Sequence, residues 1–148
     1  MATPTSGKTL EKTAAMTHFL IDSDVLIDFN RGVEQAAFMM DSLEGDAPLG
    51  ISAITRMEVL TGCRNKEELR HFERLLRRFK IFPLTETIGR TADDLLLTYC
   101  LSHGLLIPDA LIAATALVHQ ISLLTKNHRD FRFISGLGLI PYPTAPPA

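Results

Sequence analysis

"FLIDSDVLIDFNRG", residues 19–32, decides how the chain is read. Phe19, Leu20 and Ile21 run straight into Asp22, and Asp24 follows two places later. A carboxylate at the end of a core strand is costly to desolvate unless something cationic meets it. The stretch therefore predicts a short buried strand, "HFLI", a loop at Asp22, and a functional reason for the acid.

Working outward, the chain alternates between two periodicities. Residues 33–44 place Val33, Ala36, Ala37, Met40 and Leu43 at helical spacing. "EGDAP" reads as a turn and "LGIS" as a second strand. "ITRMEVLTG" reads as a helix closed by Gly62. "KEELRHFERLLRRF" is amphipathic, with Leu69, Phe72, Leu75, Leu76 and Phe79 on one face. "KIFPL" is a strand that Pro83 confines to a sheet edge or strand end. Residues 86–103 form a helix stopped by Gly104, and "PDALIAATALVHQ" is a helix with Pro108 first. "ISLLT" and the closing "LGLI" complete the strands. Strands separated by helices imply parallel pairing. The expected fold class is α/β, in three α/β/α layers around a mainly parallel central sheet. In such sheets functional groups gather beyond the carboxyl ends of the strands, where Asp22 and Thr125 fall.

Size and composition set further bounds. The 148 residues, 46% of them hydrophobic, fit one globular domain with a real core. A net charge of −2 exerts no global pull on nucleic acid, so attraction to an anion must come from local patches or a bound metal. Cys63 and Cys100 have no CxxC spacing, which argues against a zinc site or disulfide framework and for a reduced, cytoplasmic protein. No apolar run approaches a membrane span, and "MATPTSGKTLEKTAA" has no apolar signal-peptide core. Residues 1–15 are expected to be a disordered extension, with Met16 an alternative start. Residues 16–141 are the expected domain, and 142–148 a flexible Pro-rich tail.

The acids that interrupt apolar sequence have bland explanations. Thr55-x-x-Glu58 fits a capping box, Asp109 sits in a helix first turn favoured by the macrodipole, and Asp22 or Asp24 fits a helix cap. Asp93 and Asp94 lie mid-helix, with Arg90 four residues before Asp94, and read as a solvated ion-paired face. The set is harder to dismiss. Asp22, Glu58 and Asp109, each at a strand end or helix start, would meet at one sheet edge and raise one another's pKa. A divalent cation with oxygen ligands, Mg²⁺ or Mn²⁺, resolves that conflict and suits phosphodiester hydrolysis. A basic cluster, Arg70, Arg74, Arg77, Arg78 and Lys80, reads either as a phosphate-contacting patch or as a solvated face balancing Glu67, Glu68 and Glu73.

"FLIDSDVLID" (19–28), "ISAITRMEVLTG" (51–62), "LLIPDALIAATAL" (105–117) and "LLTKNHRDFRFISGLGL" (123–139) resemble, in order and spacing, the four signatures of PIN domains. The ending is similar to VapC-type toxins, ribonuclease halves of toxin–antitoxin pairs. The resemblance implies Mg²⁺- or Mn²⁺-dependent RNA cleavage, a small VapB-like antitoxin covering the site, and a homodimer or toxin–antitoxin hetero-oligomer. It makes Asp22, Glu58 and Asp109 the catalytic, metal-binding acids. The family's fourth acid falls where this chain has Asn127, with Asp130 nearby as a substitute or a turn residue. Asp24 stands where relatives often carry Asn. Ser23, Thr55 and Thr125 join it as polar groups supporting the ligands. Two rivals follow from the same residues. "DSDVL" also resembles the opening of haloacid-dehalogenase phosphatases, but Leu26 and the order of Asp93–Asp94 before Lys126 break that pattern. With Asn127 replacing an acid, the fold could also serve as a non-catalytic module acting through its antitoxin on DNA. Phe29, Val33, Phe38 and Leu60 are the residues expected to receive an antitoxin helix.

Overall fold

The computed structural model describes residues 18–143. The expected extension 1–15, the start at Met16 and the tail from 144 onward lie outside them. Five strands form one parallel sheet: β1 (Phe19–Ile21), β2 (Leu49–Ser52), β3 (Lys80–Phe82), β4 (Ser122–Leu124) and β5 (Leu139–Ile140), in the order β3-β2-β1-β4-β5. Seven helices connect and flank them: α1 (Ser23–Asn30), α2 (Glu34–Asp46), α3 (Ala53–Thr61), α4 (Lys66–Leu76), α5 (Glu86–His103), α6 (Ile107–His119) and α7 (His128–Phe131).

Strand alternation builds two cores. Leu20, Phe82 and Leu123 face α5, α6 and α7, packing with Ile88, Ala113 and Phe131. Ile21, Leu49, Ile51 and Leu124 face the other way, onto Val25, Leu26, Met40, Val59 and Leu76 of α1 to α4. This two-sided burial is why the strands read as apolar runs rather than as alternating ones. Gly50 sits between Leu49 and Ile51 because its missing side chain is where the Phe82 ring lies. A Cβ there would stand 2.4 Å from Phe82 Cε2.

Pro83 does end an edge strand, and Gly104 closes α5 at φ 68°, in the left-handed region. Other local readings shift. The "EGDAP" turn is mostly helix, because α2 runs on through Asp46. α1 follows β1 with no intervening loop, Asp22 being its cap. Pro108 is the second helical residue, not the first, after the Leu106 cap. Gly62 closes α3 in the right-handed region at φ −79°. Arg90 pairs with Glu86 rather than Asp94. Tyr142, assigned to the tail, is buried in the second core, so the packed body runs past residue 141. Among the described residues no helix is long and apolar enough to cross a membrane.

The topology creates one crevice. From β1 the chain leaves toward the α1–α4 face, and from the adjacent β4 it leaves toward the α7 face. Neighbouring connections that part to opposite faces leave a gap at the strands' carboxyl ends, the usual ligand position in open parallel sheets. Asp22 and Thr125 are the first residues beyond β1 and β4.

Candidate functional site

Asp22 closes the β1–β4 ladder and caps α1 together. Its amide donates to the Leu124 carbonyl at 3.0 Å. Its Oδ1 accepts the Ser23 amide at 2.8 Å and its Oδ2 accepts the Thr125 hydroxyl at 2.8 Å. Thr125 is fully buried and is itself fixed by accepting the Asn127 amide at 3.0 Å. Both carboxylate oxygens of Asp22 are thus oriented from below. Ser23 contributes its backbone rather than its hydroxyl.

Asp24, in the first turn of α1, accepts the Lys126 amide on Oδ2 at 3.1 Å, and Thr125 reaches the same oxygen at 3.4 Å. Its Oδ1 is buried with no hydrogen-bond partner. The same is true of Glu58 Oε1 and of Thr55 Oγ1, one turn apart on α3. The capping-box reading of these two residues fails. Ser52 caps α3, accepting the Ile54 amide at 3.2 Å, and Thr55 is already inside the helix. With the cap supplied elsewhere, Glu58 has no local structural duty, and it lines the site.

The carboxylates perturb one another. Burial raises Asp22 from 3.8 to about 6 against the pull of Thr125 and Ser23, and the charges of Asp109 and Glu58 add to the rise. Asp24 is also pushed to about 6, by burial and then by Asp22. Asp109, in the first turn of α6, reaches about 6 through burial, Asp130 and Asp24. Glu58 is raised by burial, Asp109 and Asp24. Four acids from three helices and one strand end therefore share one field. Among the described residues, no three His, Cys, Asp or Glu side chains form a ready-made metal cage. The donor set is nonetheless all oxygen, and two of its buried oxygens lack partners. That suits an ion held by one or two carboxylates and completed by water and substrate.

Asn127 and Asp130 are exposed and bound to each other, Asn127 Nδ2 donating to Asp130 Oδ2 at 2.7 Å. They form one polar unit beside Asp109. Asp130 lies in α7 rather than in a turn, and its charge helps to raise Asp109.

Sequence reasoning missed Lys126, Asp28 and Tyr142. Asp28 is buried, and Lys126 Nζ contacts it at 3.0 and 2.9 Å while the Tyr142 hydroxyl donates to it at 2.9 Å. Burial opposes its charge, but Lys126 and Tyr142 outweigh it and hold its pKa low. Lys126 therefore clamps the 125–127 loop to α1 with its backbone on Asp24 and its side chain on Asp28. A signal was present: Asp24 and Asp28 are spaced i, i+4, a repulsive pair that calls for a cation.

The basic cluster does not act as one patch. Arg70, Arg74 and Arg77 are exposed. Arg78 is held by Glu44 at 2.8 Å and Asp41 at 3.1 Å, over the Phe29 ring. Lys80 begins β3, at the sheet edge opposite the carboxylates, and stands 5.1 Å from the Phe82 ring centroid. A groove of ≈ 820 Å³ runs from Glu58 between α1, α3 and α4, past Ile27, Arg31, His71, Phe72 and Arg74. None of Phe29, Val33, Phe38 or Leu60 lines it. Of those four, Phe38 and Val33 are exposed, at 67% and 37%.

Residues 19–136 match the PIN domain family. The chain belongs to that family. It is 43% identical over 109 residues to Ribonuclease VapC10 of Mycobacterium tuberculosis (strain H37Rv), covering 73% of this chain and 81% of that protein. Among solved structures, a toxin–antitoxin complex from Klebsiella pneumoniae is 31% identical with a TM-score of 0.68, covering 83% of this chain and 96% of the other. DNA-bound VapBC from Salmonella typhimurium, at 19% identity, shares the fold with a TM-score of 0.73 over 84% and 98% of the two chains.

Proposed function

We propose that this PIN-domain protein is a VapC-type toxin, an RNA-cleaving hydrolase that works with Mg²⁺ or Mn²⁺ and is restrained by a VapB-like antitoxin. One observation carries the reading. Asp22, Asp24, Glu58 and Asp109 converge at the switch point of the sheet, each with its pKa raised, and buried oxygens on Asp24 and Glu58 lack a partner. Such a cluster is unfavourable alone and stable around a cation. The relatedness to a named ribonuclease at 43% identity supports RNA as the substrate.

In this reading Asp22, Glu58 and Asp109 are the catalytic acids and hold the ion, with the Asn127–Asp130 pair in the fourth position. The ion supplies Lewis-acid charge and a nucleophilic water to the phosphodiester. The chain's own residues supply orientation. Thr125 and the Ser23 amide fix both oxygens of Asp22, and Lys126 fixes Asp24. Thr55 Oγ1, buried one turn before Glu58 with no protein partner, would support that acid through an ordered water.

The groove from Glu58 along α4 supports a helical antitoxin segment. It is amphipathic in character, with Ile27 and Phe72 as apolar floor and Arg31, Arg64, Glu67 and Arg74 around it. It also ends at a catalytic acid, so an occupant would block the site. A cytoplasmic location and a homodimer or toxin–antitoxin hetero-oligomer go with this assignment.

The test is cleavage of single-stranded RNA by purified protein. Activity should need Mg²⁺ or Mn²⁺, stop with EDTA and with Asp22→Asn, and leave 5′-phosphate and 3′-hydroxyl ends. Cyclic 2′,3′-phosphate ends would sink the mechanism. Wild-type protein expressed alone should arrest growth, and the small neighbouring gene product should relieve the arrest by forming a stable complex. A wild type that cleaves nothing yet binds promoter DNA with its partner would favour the non-catalytic module.

A further inference from the structure

We propose that the stacked rings of His103 and Phe133 form a nucleobase subsite beside the carboxylate cluster, taking one base of single-stranded RNA next to the scissile phosphate. The inference deepens the ribonuclease reading and rests on it.

The two rings lie nearly parallel, 13° apart, with centroids 4.2 Å from each other. Tyr99 braces both edge-on, at 5.1 Å from Phe133 and 5.7 Å from His103. Tyr99 is anchored in turn, its hydroxyl accepting the Ser135 amide at 3.2 Å. Ser102 Oγ and His103 Nδ1 share a hydrogen bond of 2.8 Å, which fixes the imidazole's rotation. A ring this well braced would ordinarily be core, yet His103 is exposed. Leu106 and Ile107 beside it are 65% and 66% exposed. An ordered, open aromatic plane is what base stacking uses, because the rotamer entropy has already been lost.

Position turns the platform into a subsite. His103 and Phe133 line a hollow of ≈ 50 Å³ together with Gly104, Leu105, Leu106, Asp109 and Asp130. The same small space thus touches a catalytic acid and the ring pair. A hollow of that size holds the edge of a ring, so the base lies on the imidazole rather than inside a cavity. A nucleotide whose phosphate reaches the acids has its own base within reach of the platform. Stacking accepts every base because each has a π face, with purines favoured by their larger area. Any cleavage preference from this subsite is therefore graded by base size, not read out by hydrogen bonds.

The chain contains no tryptophan, so His103→Trp in the non-cleaving Asp22→Asn background is a single-site reporter. A short single-stranded RNA should quench it saturably, and the same oligomer made abasic should not. In that background His103→Ala should weaken RNA binding by about 5-fold or more, the usual effect of losing one stacked base. His103→Phe should restore it, with melting temperatures confirming that each variant is folded. In the active chain, His103→Ala should raise KM with kcat nearly unchanged, and the effect should vanish on an oligomer abasic beside the cut. Equal quenching by abasic and normal RNA, or His103→Ala binding like wild type, overturns the subsite while leaving the ribonuclease reading intact. A wild-type chain that cleaves no RNA with Mg²⁺ or Mn²⁺ present overturns the ribonuclease reading instead.

Discussion

Replacing Asp22 by Asn should stabilise the metal-free protein while abolishing its activity. Asp22 is 6% exposed, and its pKa is raised from 3.8 to about 6, chiefly by burial. The unfolded chain gives up this proton at lower pH than the folded one. Stability is therefore full below about pH 4, falls as pH rises through about 6, and stays reduced above. A shift of about two units corresponds to about 3 kcal/mol lost at pH 7.5. A neutral amide removes that loss. Asn remains a good cap for the Ser23 amide, but its NH₂ meets the Thr125 hydroxyl where Oδ2 accepted before, at a cost of about 1 kcal/mol. The net gain is about 2 kcal/mol at pH 7.5, or roughly 4–8 °C in melting temperature. Thermal unfolding of both proteins in EDTA, followed by circular dichroism from pH 4.5 to 8, measures it. The gain should shrink toward zero at the acid end. A variant less stable than wild type at pH 7.5, or a difference that ignores pH, would refute the claim that clustered buried charge strains this site.

Lys126→Met removes the cation facing buried Asp28 and should cost about 2 kcal/mol at pH 7, allowing for the half-exposed ammonium. Because the folded pKa of Asp28 is lowered, this cost should be complete above about pH 4 and fade as pH falls through that folded value; a pH-independent loss in urea titrations would contradict it. Charge reversal at Arg70, Arg74 or Arg77 should flatten the salt dependence of RNA binding by about one unit for each phosphate no longer neutralised. Reversal at Arg78 should instead lower the melting temperature and leave that slope alone, since Asp41 and Glu44 already hold it. Gly50→Ala drives a Cβ into the Phe82 ring and should destabilise by about 1–3 kcal/mol; an unchanged denaturation midpoint would mean that Phe82 can move aside.

Much of this protein is legible in one dimension, and for a local reason. Each strand is a short apolar run bounded by a turn or helix signal, and each crossover carries its own periodicity, so fold class and strand positions follow from nearest neighbours. Asp22 and Asp109 stand out because each breaks apolar sequence at an element boundary. The limits of the reading are equally physical. Thr55 and Glu58 have the spacing of a capping box, and only the hydrogen bond of the Ile54 amide to the Ser52 hydroxyl at the end of β2 shows that the cap comes from elsewhere. Arg78 and Arg77 are adjacent and chemically identical, yet α2 brings Asp41 and Glu44 to one of them alone. Lys126, Asp28 and Tyr142 are separated by up to 114 residues, and no local pattern announces that they meet. Sequence determines which segments become strands and helices, because those choices rest on propensity and periodicity within a few residues. The tertiary structure alone decides which acids share a field, which cations are already paired and which aromatic rings stay open, because each depends on surfaces that only the parallel sheet brings together.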